Sequence, residues 1–364
     1  MRILFVADTL AGGGKERRLV ELIKGLSHSS DYSVFLLILD GEIHYKDINN
    51  TNCKVKNLNR THGFEFNISK GISKTISEFK PDIIHFWGDI GMFYLLPNLI
   101  FGNIPMVNSV IANTSPKKGF VKTLVRKIAF KYSALILSNT YLGLKNYNAP
   151  TARSKVIYNG FDFKRLSALL DENVIRNRYN ITSKYVIMMI GEYSGRKDHR
   201  TFLLATEKIL GLGIDITVIT AGNGDIEKIK TYISPKNEKH YRFLNFQDDI
   251  ESIMNVASIG VLCSNVDRHG EGISNALLEF MALGKPVIAS NHGGNMELIE
   301  NNKSGFLVEA KNEDDLAEKI AVLLSDEIKR QLFGSRAKEI VENKFSIYSM
   351  INNFKAEYSH LISK

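Results

Sequence analysis

Disulfides, membrane-spanning runs and metal-binding acidic pairs are what this 364-residue chain lacks. Only two cysteines occur, Cys53 and Cys263, one in each half and both in apolar, strand-like settings. Thiols so placed are expected to be buried and free rather than paired. No apolar run reaches the roughly 18–20 residues that cross a bilayer. The amino-terminal Met-Arg-Ile-Leu-Phe-Val-Ala-Asp starts as a strand without a small-residue cleavage site, so a cytoplasmic protein is expected. No Asp-x-Asp pair is present, which argues against carboxylates holding a diphosphate through a metal ion, and no metal site is expected. The dinucleotide fingerprint Gly-x-Gly-x-x-Gly is missing as well, as are internal repeats and low-complexity tracts.

Acidic residues are also missing from the whole of 90–161, where nine lysines and arginines fall. Residues 1–160 hold 21 basic against 11 acidic side chains, and the remainder 26 against 28, so the net charge of +8 belongs to the first half. That half is built to sit near negative charge. Charge is the only argument for nucleic acid; no aromatic-basic interleaving or recognised module accompanies it, and no nucleic-acid partner is expected.

With 44% hydrophobic residues, the chain is long enough for two ordinary α/β domains and too long for one core. Strand-like runs at 2–7, 33–39, 54–58, 82–87, 105–110, 134–138 and 155–158 alternate with helical stretches, the signature of parallel βαβ units. A second series opens at 185–190. The expected division is 1–165, 166–345 and a final segment, 346–364. Between the first strand and the helix 15–26 stands the turn Gly12-Gly13-Gly14, a geometry that can bring backbone close to a phosphate or serve as a plain tight turn. His85 and Trp87 end the strand 82–87, where His85 reads as a core-edge histidine. In 116–131, Phe120, Val121, Leu124, Val125 and Ile128 share one helical face opposite Lys118, Lys122 and Arg126. Such a helix packs its apolar face on the sheet or lies on an anionic membrane surface.

The most informative stretch is 270–299. Gly270-Glu271-Gly272 forms a turn; a helix with Ala276, Leu277, Phe280 and Met281 at helical spacing follows; Gly284 stops it; 286–290 is a short buried strand; and Gly293-Gly294 leads into another helix. Backbone donors of Gly272, Ile273, Ser274 and Asn275 at the helix N-terminus can hold a phosphate or sugar hydroxyls. Glu271 stands beside them, and Glu279, about one turn inside the helix, can accept from a ribose. Spacing alone leaves both acids equally readable as solvated surface carboxylates.

The pattern Glu, seven residues, Glu, running into Leu-Leu-Glu-Phe-Met-Ala-Leu-Gly-Lys-Pro-Val-Ile-Ala-Ser and then Gly-Gly-Asn-Met-Glu-Leu-Ile, resembles the retaining, nucleotide-sugar-dependent glycosyltransferases of family 4 (glycosyl transferases group 1). The resemblance implies a GT-B fold: two Rossmann-like α/β domains facing across a cleft, with a C-terminal helix crossing back to the first. It also implies a nucleotide-diphosphate sugar, a UDP-sugar, as co-substrate with no further cofactor. The expected partner is a carbohydrate or lipid-linked acceptor, and the basic first half with its 116–131 segment motivates the expectation of an enzyme peripheral on the inner membrane face.

Residue by residue, Gly13-Gly14-Lys15-Glu16-Arg17 matches the family's first loop, implying that Gly13 and Gly14 face the donor phosphate or the acceptor. Relatives place an Arg and a Lys on the donor diphosphate after the first strand of the second domain. Lys197 matches, whereas Glu192 stands where the Arg is expected, so Arg196 is read as its partial substitute. Glu271 is implied to orient sugar hydroxyls and Glu279 to bind ribose. Gly222 and the loop at Phe246 are placed by resemblance on the donor side. The histidine that many relatives carry near the acceptor is absent, and Asn113 is taken in its place. Residues 266–269 read as a short insertion, with His269 as a solvated loop histidine. A GT-B-fold sugar-nucleotide epimerase or a weakly active family member is the alternative.

Overall fold

The computed structural model describes every residue except 12, 42, 62, 116–118, 268, 269 and 364. The chain divides into two compact units, 1–160 with 347–364 and 161–346. Each is a parallel sheet flanked by helices.

In the first unit, β1 (Arg2–Ala7), β2 (Ser33–Ile38), β3 (Lys54–Asn57), β4 (Ile83–Trp87), β5 (Met106–Ile111), β6 (Leu135–Ser138) and β7 (Ser154–Val156) pair in the order β3-β2-β1-β4-β5-β6-β7. Every pairing is parallel. Helices cover both faces, which is why Ile3 to Val6 are fully buried and the strand reads as an unbroken apolar run. The final helix, Ile347–Ile362, belongs to this unit and buries Met350, Phe354 and Tyr358 in the same core as Ile3, Phe5 and Trp87. Gly25 admits it: a Cβ there would lie 2.1 Å from Ile351 Cδ1.

His85 is fully buried, its ring nitrogens 2.7 Å from the hydroxyls of Tyr358 and Ser109. It is thus a core residue rather than an edge one. Its pKa is held well below the usual value by burial and, next, by the charge of Arg18. Arg18 itself is buried, stacked on Trp87 and Phe354, and donates to the Ile157 carbonyl.

In the second unit, β8 (Tyr185–Ile190), β9 (Ile216–Ala221), β10 (Tyr241–Leu244), β11 (Ile259–Leu262), β12 (Val287–Ser290) and β13 (Gly305–Val308) form a parallel sheet in the order β10-β9-β8-β11-β12-β13. Each sheet therefore reverses its strand order once, between β1 and β4 and between β8 and β11. Ligands of open α/β sheets bind beyond the carboxyl ends of strands at such reversals.

Both cysteines are free, but only Cys263 is buried; Cys53 is half-buried at the start of β3. The helix Phe120–Tyr132 covers only part of its apolar stripe: it buries Val125, Ala129 and Phe130, while Phe120, Val121 and Leu124 are exposed. Lys118 lies outside the described residues. Among the described residues no helix is long and apolar enough to cross a membrane.

Candidate functional site

The loop after β8 and the loop after β11 are zipped together at the reversal point of the second sheet. Asp198 N donates to the Cys263 carbonyl at 3.0 Å, and Asn265 N donates to the Arg196 carbonyl at 2.9 Å. This brings the Lys197 ammonium to Glu271: Nζ to Oε2 is 2.7 Å. Ser264 Oγ donates to the same carboxylate oxygen at 2.8 Å, and Ser264 N donates to Ser290 Oγ at 3.1 Å. Gly191 makes room for the lysine stem, since a Cβ there would sit 3.2 Å from Lys197 Cγ.

Glu271 is held from below by glycines. Gly294 N donates to the Glu271 carbonyl at 2.9 Å. A Cβ on Gly293, whose φ is +62°, would meet that carbonyl at 2.3 Å, and one on Gly294 would meet the Gly272 carbonyl at 2.3 Å. The pair Gly293-Gly294 is thus required by close backbone approach under the 271–272 turn. The helix Asn275–Ala282 then begins with Ser274 as its cap, the hydroxyl accepting from Leu277 N. Gly272, Ile273, Ser274 and Asn275 accordingly stand at a helix N-terminus directly after Glu271, where backbone donors and dipole favour an anion.

Both acids of the spaced pair are buried, Glu271 at 7% and Glu279 at 4% exposure, so neither is a solvated surface carboxylate. Glu279 is paired with Arg165, whose Nη2 lies 2.9 Å from Oε1, and the same guanidinium also contacts the buried Glu251. Arg165 and Glu251 had no sequence signal: they lie 114 and 28 positions before Glu279, one in a polar stretch after β7 and one in a short helix. Ser264 also went unmarked.

The other sequence-derived residues are placed as follows. Arg196 makes a two-point ion pair with Glu192, Nη2 to Oε2 at 2.8 Å and Nε to Oε1 at 2.5 Å. Burial alone would raise the Glu192 pKa, but the hydrogen bonds from Arg196 and Ser194 and the charges of Arg196 and Lys197 together hold it below the usual value. Gly222, just after β9, is pressed against the end of β8: a Cβ would lie 2.1 Å from the Gly191 carbonyl. Phe246, in the loop after β10, is 66% exposed.

In the first unit, Gly13 caps the helix Gly14–Ser27 in extended conformation, and its carbonyl accepts from Arg17 N and Tyr45 OH, both at 2.9 Å. Gly14 is the first helical residue, whereas Gly12 lies outside the described residues. Asn113 spends its side-chain oxygen locally, accepting from Ser115 N and Tyr147 OH, both at 3.1 Å. His269 and Arg268 of the short insertion lie outside the described residues.

A doubly wound sheet with a lysine, a buried carboxylate and a helix N-terminus at its reversal point is an α/β domain able to receive an anionic ligand there. Residues 171–340, most of the second unit, match the family model described as glycosyl transferases group 1. Among curated proteins, the capsular polysaccharide biosynthesis glycosyltransferase CapM of Staphylococcus aureus is 28% identical, over 66% of this chain and 67% of its own. A Campylobacter jejuni transferase that adds α-1,4-N-acetyl-D-galactosamine to a diphosphoundecaprenol-linked glycan is 24% identical, over 100% of this chain and 99% of its own. Among solved structures, Anabaena HepE in complex with UDP-glucose superposes with a TM-score of 0.86 at 20% identity, covering 99% of this chain and 100% of that one. The GT-B fold class expected from the sequence, with its C-terminal helix returned to the first unit, holds.

Proposed function

We propose that this protein is a group 1 glycosyltransferase that moves a sugar, with retention of anomeric configuration, from a nucleotide-diphosphate donor to a carbohydrate acceptor. The donor is a UDP-sugar, and the acceptor is lipid-linked or part of a bacterial surface polysaccharide. The observation that carries the reading is the Lys197–Glu271 contact beside the helix N-terminus at the β8/β11 reversal point. The names of the Staphylococcus and Campylobacter relatives and the UDP-glucose bound to HepE support the choice of substrates.

In this reading the second domain, 166–345, takes the donor and the first, 1–165, takes the acceptor. Lys197 meets the diphosphate charge as it develops on the leaving group, together with the amides at Ser274 and Asn275. Arg196 adds a second cation once its pairing with Glu192 is shared with the ligand. Glu271, already a hydrogen-bond acceptor, orients sugar hydroxyls; Glu279, positioned by Arg165, receives the ribose. Gly222 leaves room for the nucleotide, and Phe246 borders the base. As the bond between the anomeric carbon and the diphosphate oxygen breaks, the acceptor hydroxyl oxygen bonds to that carbon on the same face and its proton passes to the departing diphosphate oxygen, so no enzymic nucleophile is needed. The charge is met by these protein groups without a metal ion.

On the acceptor side, Gly13, Gly14 and Asn113 line the approach. The exposed Phe120, Val121 and Leu124, with the basic residues of the same stretch, support a peripheral position on the anionic inner face of the membrane. Two measurements test this. Thermal stabilisation by a panel of nucleotide sugars, followed by NMR of the product linkage, should show one donor raising the melting temperature and an α-linked product from an α-linked donor. An epimer formed from donor alone would overturn it. Sedimentation with anionic vesicles should fall as salt rises.

A further inference from the structure

The first unit holds a cavity of 480 Å³ at the carboxyl ends of β1 and β4, the reversal point of its sheet, and within the roughly 300–1,000 Å³ of small-molecule sites. Its walls divide by chemistry. Phe64, Phe93, Tyr94, Val121 and Val125 form an apolar side, with Phe64 stacked on Tyr94 at 5.2 Å and edge-on to Phe93 at 5.9 Å. Arg60, Lys122 and Arg126 supply cations, the last lying 5.1 Å from the Tyr147 ring centroid.

Two carboxylates also line it, Asp8 and Asp89. Asp8 is turned onto backbone, accepting from Gly91 N at 2.8 Å and Ile90 N at 3.2 Å, and Gly88 is the glycine that lets it do so: a Cβ there would lie 2.2 Å from that carboxylate. Two of the lining side chains are exposed apolar groups, Phe64 at 61% and Val121 at 63% exposure, and Phe120, next to Val121 in the chain, is 84% exposed.

We infer that this cavity binds an amphiphilic phosphate, the phosphate-proximal part of a lipid chain, with the hydrocarbon against Phe64, Phe93 and Val121 and the phosphate toward Lys122 and Arg126. A free sugar would leave the aromatic wall without a polar partner, and inorganic phosphate would use only the cations. A chain bearing one phosphate uses both sides, and the exposed Phe120 and Val121 offer it further apolar surface. The inference rests on the proposed transfer to a lipid-linked acceptor and gives that acceptor's carrier a binding place.

Calorimetric titration of the full chain with farnesyl phosphate, farnesol and inorganic phosphate tests it. Farnesyl phosphate should saturate one site and bind at least about tenfold more tightly than either control, a difference of about 1.4 kcal/mol. Val121→Asp, at an exposed position, and Lys122→Glu should each weaken it by about tenfold while melting temperatures stay unchanged. Farnesyl phosphate binding no better than inorganic phosphate would overturn the inference. So would adsorption to anionic vesicles without saturable binding of the soluble probe, or equal binding by both variants. Stabilisation of the unaltered protein by UDP-sugars is read in parallel. Loss of that signal counts against the transferase reading, whereas its presence without farnesyl phosphate binding counts against the cavity alone.

Discussion

Arg165 Nη2 lies 2.9 Å from Glu279 Oε1, 114 positions later in the chain, and the same guanidinium contacts Glu251. One cation thus serves two buried carboxylates. Arg165→Ala leaves both acids buried without it, and the expected loss of stability is about 3 kcal/mol, the lower end for breaking a buried pair because the arginine is partly exposed. Urea denaturation measures it. Arg165→Ala with unchanged midpoint would show that the cluster is solvated in solution.

Lys197→Ala removes the cation beside Glu271 and, in the proposed mechanism, the main counter-charge for the leaving diphosphate. Steady-state transfer should fall by about 10²–10³ in kcat, the scale seen when one preorganised donor to a developing charge is lost. Unaltered kcat and KM would remove Lys197 from the mechanism. Arg196→Ala should act more weakly, because that side chain already shares its charge with Glu192.

Gly294→Ala sets a methyl 2.3 Å from the Gly272 carbonyl, so the 271–272 turn must move. A destabilisation of more than about 1 kcal/mol is expected, since the native backbone cannot accept the new atom. The donor KM should rise along with it, because the turn that carries Glu271 is displaced. A variant of unchanged melting temperature and KM would count against this backbone contact as a constraint on the site.

Acid should destabilise the first unit through His85. Its folded pKa lies well below 6.5, chiefly from burial, so below pH 6.5 the unfolded chain takes up a proton that the folded one does not. Stability is therefore retained above that pH and falls as the pH drops, with a slope approaching about 1.4 kcal/mol per pH unit for this group. His199, depressed chiefly by burial, acts in the same direction in the second unit. Denaturation midpoints of the wild type and His85→Gln between pH 7 and pH 5 should differ in slope, the variant being flatter. Parallel curves would assign the acid sensitivity elsewhere.

Local chemistry settled much of this protein in the sequence itself. Runs such as 3–7 and 185–190 are apolar throughout because parallel strands are covered on both faces, so their number, their order along the chain and the α/β class can be read directly. The helix after Glu271 announced itself through periodicity, Ser274 and Gly284, features that act within a few residues. What no local rule contains is which distant side chains share a buried charge. Arg165 meets Glu251 and Glu279, and Lys197 meets Glu271 and Ser264, because the sheet reversal and the 194–198 loop bring those segments together. Burial likewise decided that the Glu271 and Glu279 pair is not surface acid, and that Phe120, Val121 and Leu124 are left outside the core, since amphipathic spacing shows that a face exists without showing what covers it.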